Sequence, residues 1–206
     1  MTKEEFENNY WKQYLWLEKE LIEILDFVEL DQLNFPAFSR RMEKLLLQIG
    51  SEFDNVSREI CGLQNVDRTN IADYCSYYTM NYSTHLFNAV IAYDNIQFTP
   101  FAGWGNNVSA KDIPFWKAYN SIKHDRIANY RMASLENTVN ALAALFLVEM
   151  VYIDKLYQND LESYSNHPKE ESKLFVLDGW GHHVRPSKIK SLFGVFDDED
   201  GETRMI

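Results

Sequence analysis

Cysteine is nearly absent. Cys61 and Cys75 are the only two in the chain, and they stand apart without CxxC spacing, so a disulfide framework is not expected and a reducing compartment is. Long apolar runs are missing as well. The most apolar stretch, ALAALFLVEMVYI (141–153), is broken by Glu149 and falls short of the roughly 20 residues a membrane span needs. It reads as a buried core helix, and no membrane partner is expected. The opening, MTKEEFENNYWK, is acidic and lacks the apolar stretch of a secretory signal, so a cytoplasmic location is expected. There is no HExxH, no Cys/His zinc spacing and no GxGxxG or P-loop. GWGNN (103–107) has glycines but neither the spacing nor the lysine of a phosphate loop, and reads as a turn. No metal and no cofactor are expected.

What is present is acid and aromatic residues. The formal net charge is −11 and aromatics make up 15% of the chain. The charge argues against a protein that coats nucleic acid with its whole surface, while the rings supply large areas for a core. The acid is unevenly placed. Residues 1–31 carry a net −6 and DDEDGE (197–202) holds five acids, whereas residues 115–131 carry a net +3 through Lys117, Lys123, Arg126 and Arg131 against Asp125. A local basic patch on an acidic protein follows.

Helical periodicity dominates the first third. Phe6, Tyr10, Tyr14, Leu17, Leu21, Ile24, Leu25 and Val28 recur in steps of three and four, predicting a helix over 3–29. A second helix is expected from Pro36, placed in its first turn, to about Cys61, with Gly62 as its stop. A shorter helix follows at about 69–81. LFNAVIAYDNIQFTPFAGWGNN then changes texture and reads as a strand or hairpin with an irregular loop. Asp112 and Pro114 restart a helix, and a long one is expected from Ser134 to about Tyr157. The expected architecture is mainly α, a bundle of four to five helices. One helical domain would occupy 1–165, with a β insertion at about 83–110 and a partly packed, irregular C-terminal tail over 166–206.

The candidate chemistry lies in FWKAYNSIKHDR (115–126), read as one short helix. Asn120 and His124 are four apart, hence on one helical face, bordered by Lys117 and Tyr119. Histidine is suited to proton transfer near neutral pH, and nearby cations can hold a phosphate. Those are the requirements of metal-free RNA cleavage. The plainer account is equally available: Trp116, Tyr119 and Ile122 buried, with Asn120 and His124 bonding local backbone.

YNSIKH (119–124) resembles the core motif of HEPN proteins, helical domains in which an Arg, a polar residue (often Asn), three variable positions and a His follow in order. Asn120 and His124 match, and Tyr119 stands where the family has Arg. A long apolar helix after the motif, here SLENTVNALAALFLVEMVYIDKLY, is also similar. The resemblance implies a homodimer with a composite ribonuclease site, without metal, in a toxin or phage-defence role. His124 and Asn120 would be catalytic with Arg126, and Lys117, Tyr119 and Lys123 would bind substrate. Tyrosine lacks the permanent bidentate charge of arginine, so either Arg126 or Lys123 supplies the cation or the chain binds partners without catalysis.

Three other features carry less. His182 and His183 are adjacent and point apart in regular structure, so a fortuitous surface pair is expected. Glu18, Glu20 and Glu23 lack the Glu-x-x-His partners of a di-metal site and read as a solvated helix face. Two non-catalytic functions compete with RNA cleavage: a protein-interaction module of the same fold, and an acidic nucleic-acid mimic acting through the first helix.

Overall fold

The computed structural model describes residues 2–63, 69–86, 90–92, 96–102, 104, 112–156, 168–177, 196–197 and 203–204. Thr2 starts the chain's first rod. Its hydroxyl accepts from the Glu5 amide while the Glu5 carboxylate accepts from the Thr2 amide, a reciprocal capping box. The rod comprises α1 (Lys3–Phe6), a π-helical turn (Glu7–Trp11) and α2 (Lys12–Leu25) without a break. It ends four residues earlier than the periodicity suggests. The following residues lead to a short 3-10 turn, Gln32–Asn34, whose cap is Asp31.

The second helix, α3 (Arg40–Cys61), begins four residues after Pro36. Ser39 caps it through Met42 N, and Gly62 ends it at φ 69° in the left-handed region. The expected start at Pro36 fails because residues 35–38 have another use. Ala37 O accepts from Leu135 N at 2.7 Å and Phe35 O from Glu136 N at 3.2 Å, and Phe38 bridges Ser134. This segment thus satisfies amides that the first turn of α7 (Leu135–Leu156) leaves without helical partners.

Helix α4 (Ile71–Leu86) runs five residues past its expected end. The hairpin follows, as the texture of the sequence suggests: β1 (Val90–Ala92) pairs antiparallel with β2 (Gln97–Phe98). Pro114 occupies the first turn of α5 (Pro114–His124), which stops at Asp125. There the backbone leaves helical geometry (φ −144°, ψ 87°), and the Asp125 side chain caps α6 (Arg126–Asn129) by accepting from Ala128 N. The stretch 115–126 is therefore a helix, a break and the start of another. A 3-10 turn, Tyr130–Met132, leads into α7.

The fold is mainly α with a small β element. Helices α3 and α7 form its centre, with α2, α4 and α5 packed around them. Every residue of α7 from Ala141 to Ile153 is buried. Leu135–Ile153 is long and apolar enough to cross a membrane, yet 83% of that window is buried within the bundle. Two short strand pairings come from the tail. β3 (Phe175–Leu177) pairs antiparallel with β1, making a β2–β1–β3 sheet, and β4 (Phe196–Asp197) pairs with β5 (Thr203–Arg204).

The tail segment 168–177 is held to α2 by Glu18. Its carboxylate, 2% exposed, accepts from Tyr14 Oη, Ser172 Oγ, Lys173 N and Leu174 N. The expected solvated face is thus only partly so: Glu20 and Glu23 pair with Arg41, while Glu18 is interior. Burial raises the Glu18 pKa above the ordinary carboxyl value, opposed by those same hydrogen bonds.

Candidate functional site

Helical spacing places Lys117, Asn120, Ser121 and His124 on the outward face of α5, with Phe115, Trp116, Ala118, Tyr119 and Ile122 turned inward. The inward set anchors the helix. Trp116 packs on Phe53 with ring centroids 5.5 Å apart and on Tyr119 at 5.0 Å.

Tyr119, at the motif position where an arginine would stand, is 4% exposed. Its ring packs against Gly50 of α3: a Cβ there would come within 2.3 Å of Tyr119 Cδ2. Only glycine allows this approach. The position points into the bundle, and its hydroxyl accepts from Lys123 Nζ at 3.2 Å. The Lys123 ammonium also lies 5.2 Å from the ring centroid.

Asn120 donates through Nδ2 to Trp116 O at 3.0 Å, one turn back on its own helix. His124 is exposed at the C-terminal end of α5, with no side-chain hydrogen bond among the described residues. Lys123 and His124 occupy the last turn, where unpaired carbonyls favour positive charge. Arg126 opens α6 and approaches Glu43 Oε1 of α3 at 3.8 Å. Its side chain is 66% exposed and that of Glu43 11%. Lys117 is exposed and one and two turns from Asn120 and His124.

A surface with apolar content continues from this end. Ile127 is 83% exposed. The Tyr130 ring meets the half-exposed Phe38 ring edge-on at 5.6 Å, and the Arg131 guanidinium lies 5.7 Å from the Phe38 centroid. Asn129 ties the turn together by donating to Asp125 O and Ser121 O.

The helix thus brings Lys117, Asn120 and His124 onto one face, and Lys123 and Arg126 stand beside them. Tyr119 is separated from them by burial of its ring. Two residues escaped the sequence reading. Gly50 had a visible signal, a lone glycine inside an otherwise helical run. Glu43 had a weaker one, an acid within one turn of the apolar positions Met42, Leu45 and Leu46. Among the described residues no group of three or more His, Cys, Asp or Glu side chains is placed to hold a metal. Cys61 is half-buried and Cys75 buried, and the two are not joined by a disulfide. His182 and His183 lie outside the described residues, as does all of GWGNN except Trp104. No family model, curated protein or solved structure matches the chain.

Proposed function

We propose that the chain is a HEPN-like helical module that binds single-stranded RNA, without cutting it, on the surface formed by the end of α5, α6 and residues 130–131. The observation that carries this reading is the combination there of accessible cations, Lys117, Lys123, Arg126 and Arg131, with the exposed Tyr130 and Phe38 rings. Cations that track phosphates and rings on which bases stack are the means by which single strands are bound. Burial of the Tyr119 ring and the bond of Asn120 to its own helix favour binding over cleavage. Neither residue presents a cation to a phosphate.

Fluorescence anisotropy with a 5′-labelled single-stranded RNA of about 20 nucleotides, in chelator, tests the proposal. Binding should weaken as salt rises, with log K falling by about 0.7 per cation engaged for each decade of salt. The double variant Arg126→Ala/Arg131→Ala should bind at least tenfold more weakly. Equal binding by wild type and variant, or none at tens of micromolar protein, refutes it. In that second outcome a protein partner becomes the better account.

A second reading, RNA cleavage, has one observation in its favour: His124 is accessible beside Lys123 and Arg126. It requires shortened RNA on a gel from wild type in chelator and intact RNA from His124→Ala.

A further inference from the structure

A cleft of about 550 Å³ lies between the first rod and the tail segment, away from α5. It is within the range of small-molecule sites. Its charged lining is balanced: Lys3, Lys12 and Lys169 face Glu4, Glu7 and Glu170. Such a lining suits neither a simple anion nor a simple cation.

Two independent features mark the cleft as more than a gap between elements. The π-helical turn Glu7–Trp11 falls on its wall. A π turn widens a helix at a cost in regular hydrogen bonding and is found frequently at functional sites. Within that turn, Glu7 Oε1 is buried and has no hydrogen-bond partner among the described residues. Lys3 Nζ forms an ion pair with it at 3.9 Å, beyond hydrogen-bond range. A shielded carboxylate oxygen without a donor is a costly arrangement unless a donor arrives. Other groups in the cleft are already placed. Trp11 Nε1 donates to Glu170 O at 2.6 Å, fixing the tail wall against the helix, and Lys12 Nζ donates to Asn8 Oδ1. Leu15 adds a half-buried apolar surface.

We propose that this cleft binds a small zwitterion of dipeptide size, its ammonium donating to Glu7 Oε1, its carboxylate facing Lys12 and Lys169, and an aliphatic side chain on Leu15. The ammonium supplies the donor that Glu7 lacks. The carboxylate keeps the lining neutral, and the apolar group occupies the one apolar wall left accessible.

Titration calorimetry on the full chain with glycyl-L-leucine tests this. Saturable binding at one site per chain is expected. N-acetyl-glycyl-L-leucine, without the ammonium, and glycyl-L-leucinamide, without the carboxylate, should each bind at least tenfold more weakly to the wild type. Glu7→Gln should lose at least tenfold for glycyl-L-leucine, with an unchanged far-ultraviolet spectrum. The two ligand controls need no variant to fold. No saturable heat up to about 10 mM ligand, or equal affinity for all three ligands, overturns the proposal.

Discussion

Glu149 makes the stability of the fold depend on pH, although it is itself fully buried. It lies in the middle of α7, 0% exposed, and neither carboxylate oxygen has a hydrogen-bond partner among the described residues. Burial, and secondarily the charge of Glu52, raise its pKa well above the ordinary 4.5. Folded chains therefore keep the proton at a pH where unfolded chains have released it. Below pH 4.5 both states are protonated and the residue costs nothing by this route. Above it, each pH unit removes about 1.4 kcal/mol of stability until the folded pKa is reached. Even one such unit is a sizeable share of the roughly 5–15 kcal/mol typical of a domain.

Glu149→Gln has nearly the same shape and no proton to lose. Urea unfolding of wild type and variant at several pH values should give similar stabilities near pH 4.5. Above that the curves should diverge, the variant gaining on the wild type by about 1.4 kcal/mol per pH unit until the folded pKa is reached. Other titrating groups contribute to both proteins and cancel in the difference, apart from the repulsion between Glu52 and Glu149, which only the wild type has. Parallel curves across this range would refute the reasoning, because they would mean Glu149 ionises alike in folded and unfolded chains.

Three further outcomes are expected. Gly50→Ala should destabilise by about 1–2 kcal/mol, since overpacking against the Tyr119 ring outweighs the helix-propensity gain of about 1 kcal/mol; adding Tyr119→Leu should restore part of the loss in urea melts. Glu18→Ala should cost about 2–4 kcal/mol by stranding the amides of Lys173 and Leu174, and hydrogen exchange at those two amides should accelerate well before the α3 core opens. His124→Ala should change stability by less than about 0.5 kcal/mol, as an exposed side chain without bonds would; a larger loss in a thermal melt would show that the histidine is structural.

The sequence made α3 and α7 legible because their apolar residues repeat at helical spacing over about six turns. The hairpin was legible from its change of texture. Pro36 misled because its fitness for a helix start is a local property. The use of residues 35–38 as partners for α7 is set by residues about 100 positions away. Glu18 misled for the same reason. Acids on a helix are normally solvated, and the Ser172, Lys173 and Leu174 donors that let this one enter the interior lie more than 150 residues on. At the candidate site, spacing alone placed Asn120 and His124 correctly on one face. It left open whether Tyr119 turns inward, because that depends on a missing Cβ at Gly50 on another helix.

The central position of α7 also governs how the chain behaves while it is being made. Helices α2, α3, α4 and α5 all pack against it, yet it is translated after all of them. At synthesis rates of about 5–20 residues per second, the apolar stripe of α3 waits roughly 5–20 s after its own completion before α7 is finished. During that interval Leu46, Ile49, Phe53 and Val56, each fully buried in the finished fold, lack their main cover, and nascent chains are open to chaperones or to one another. A translation-arrest force assay should register a single late pull, once Leu156 has cleared the ribosomal tunnel, and none when only the first three long helices have emerged.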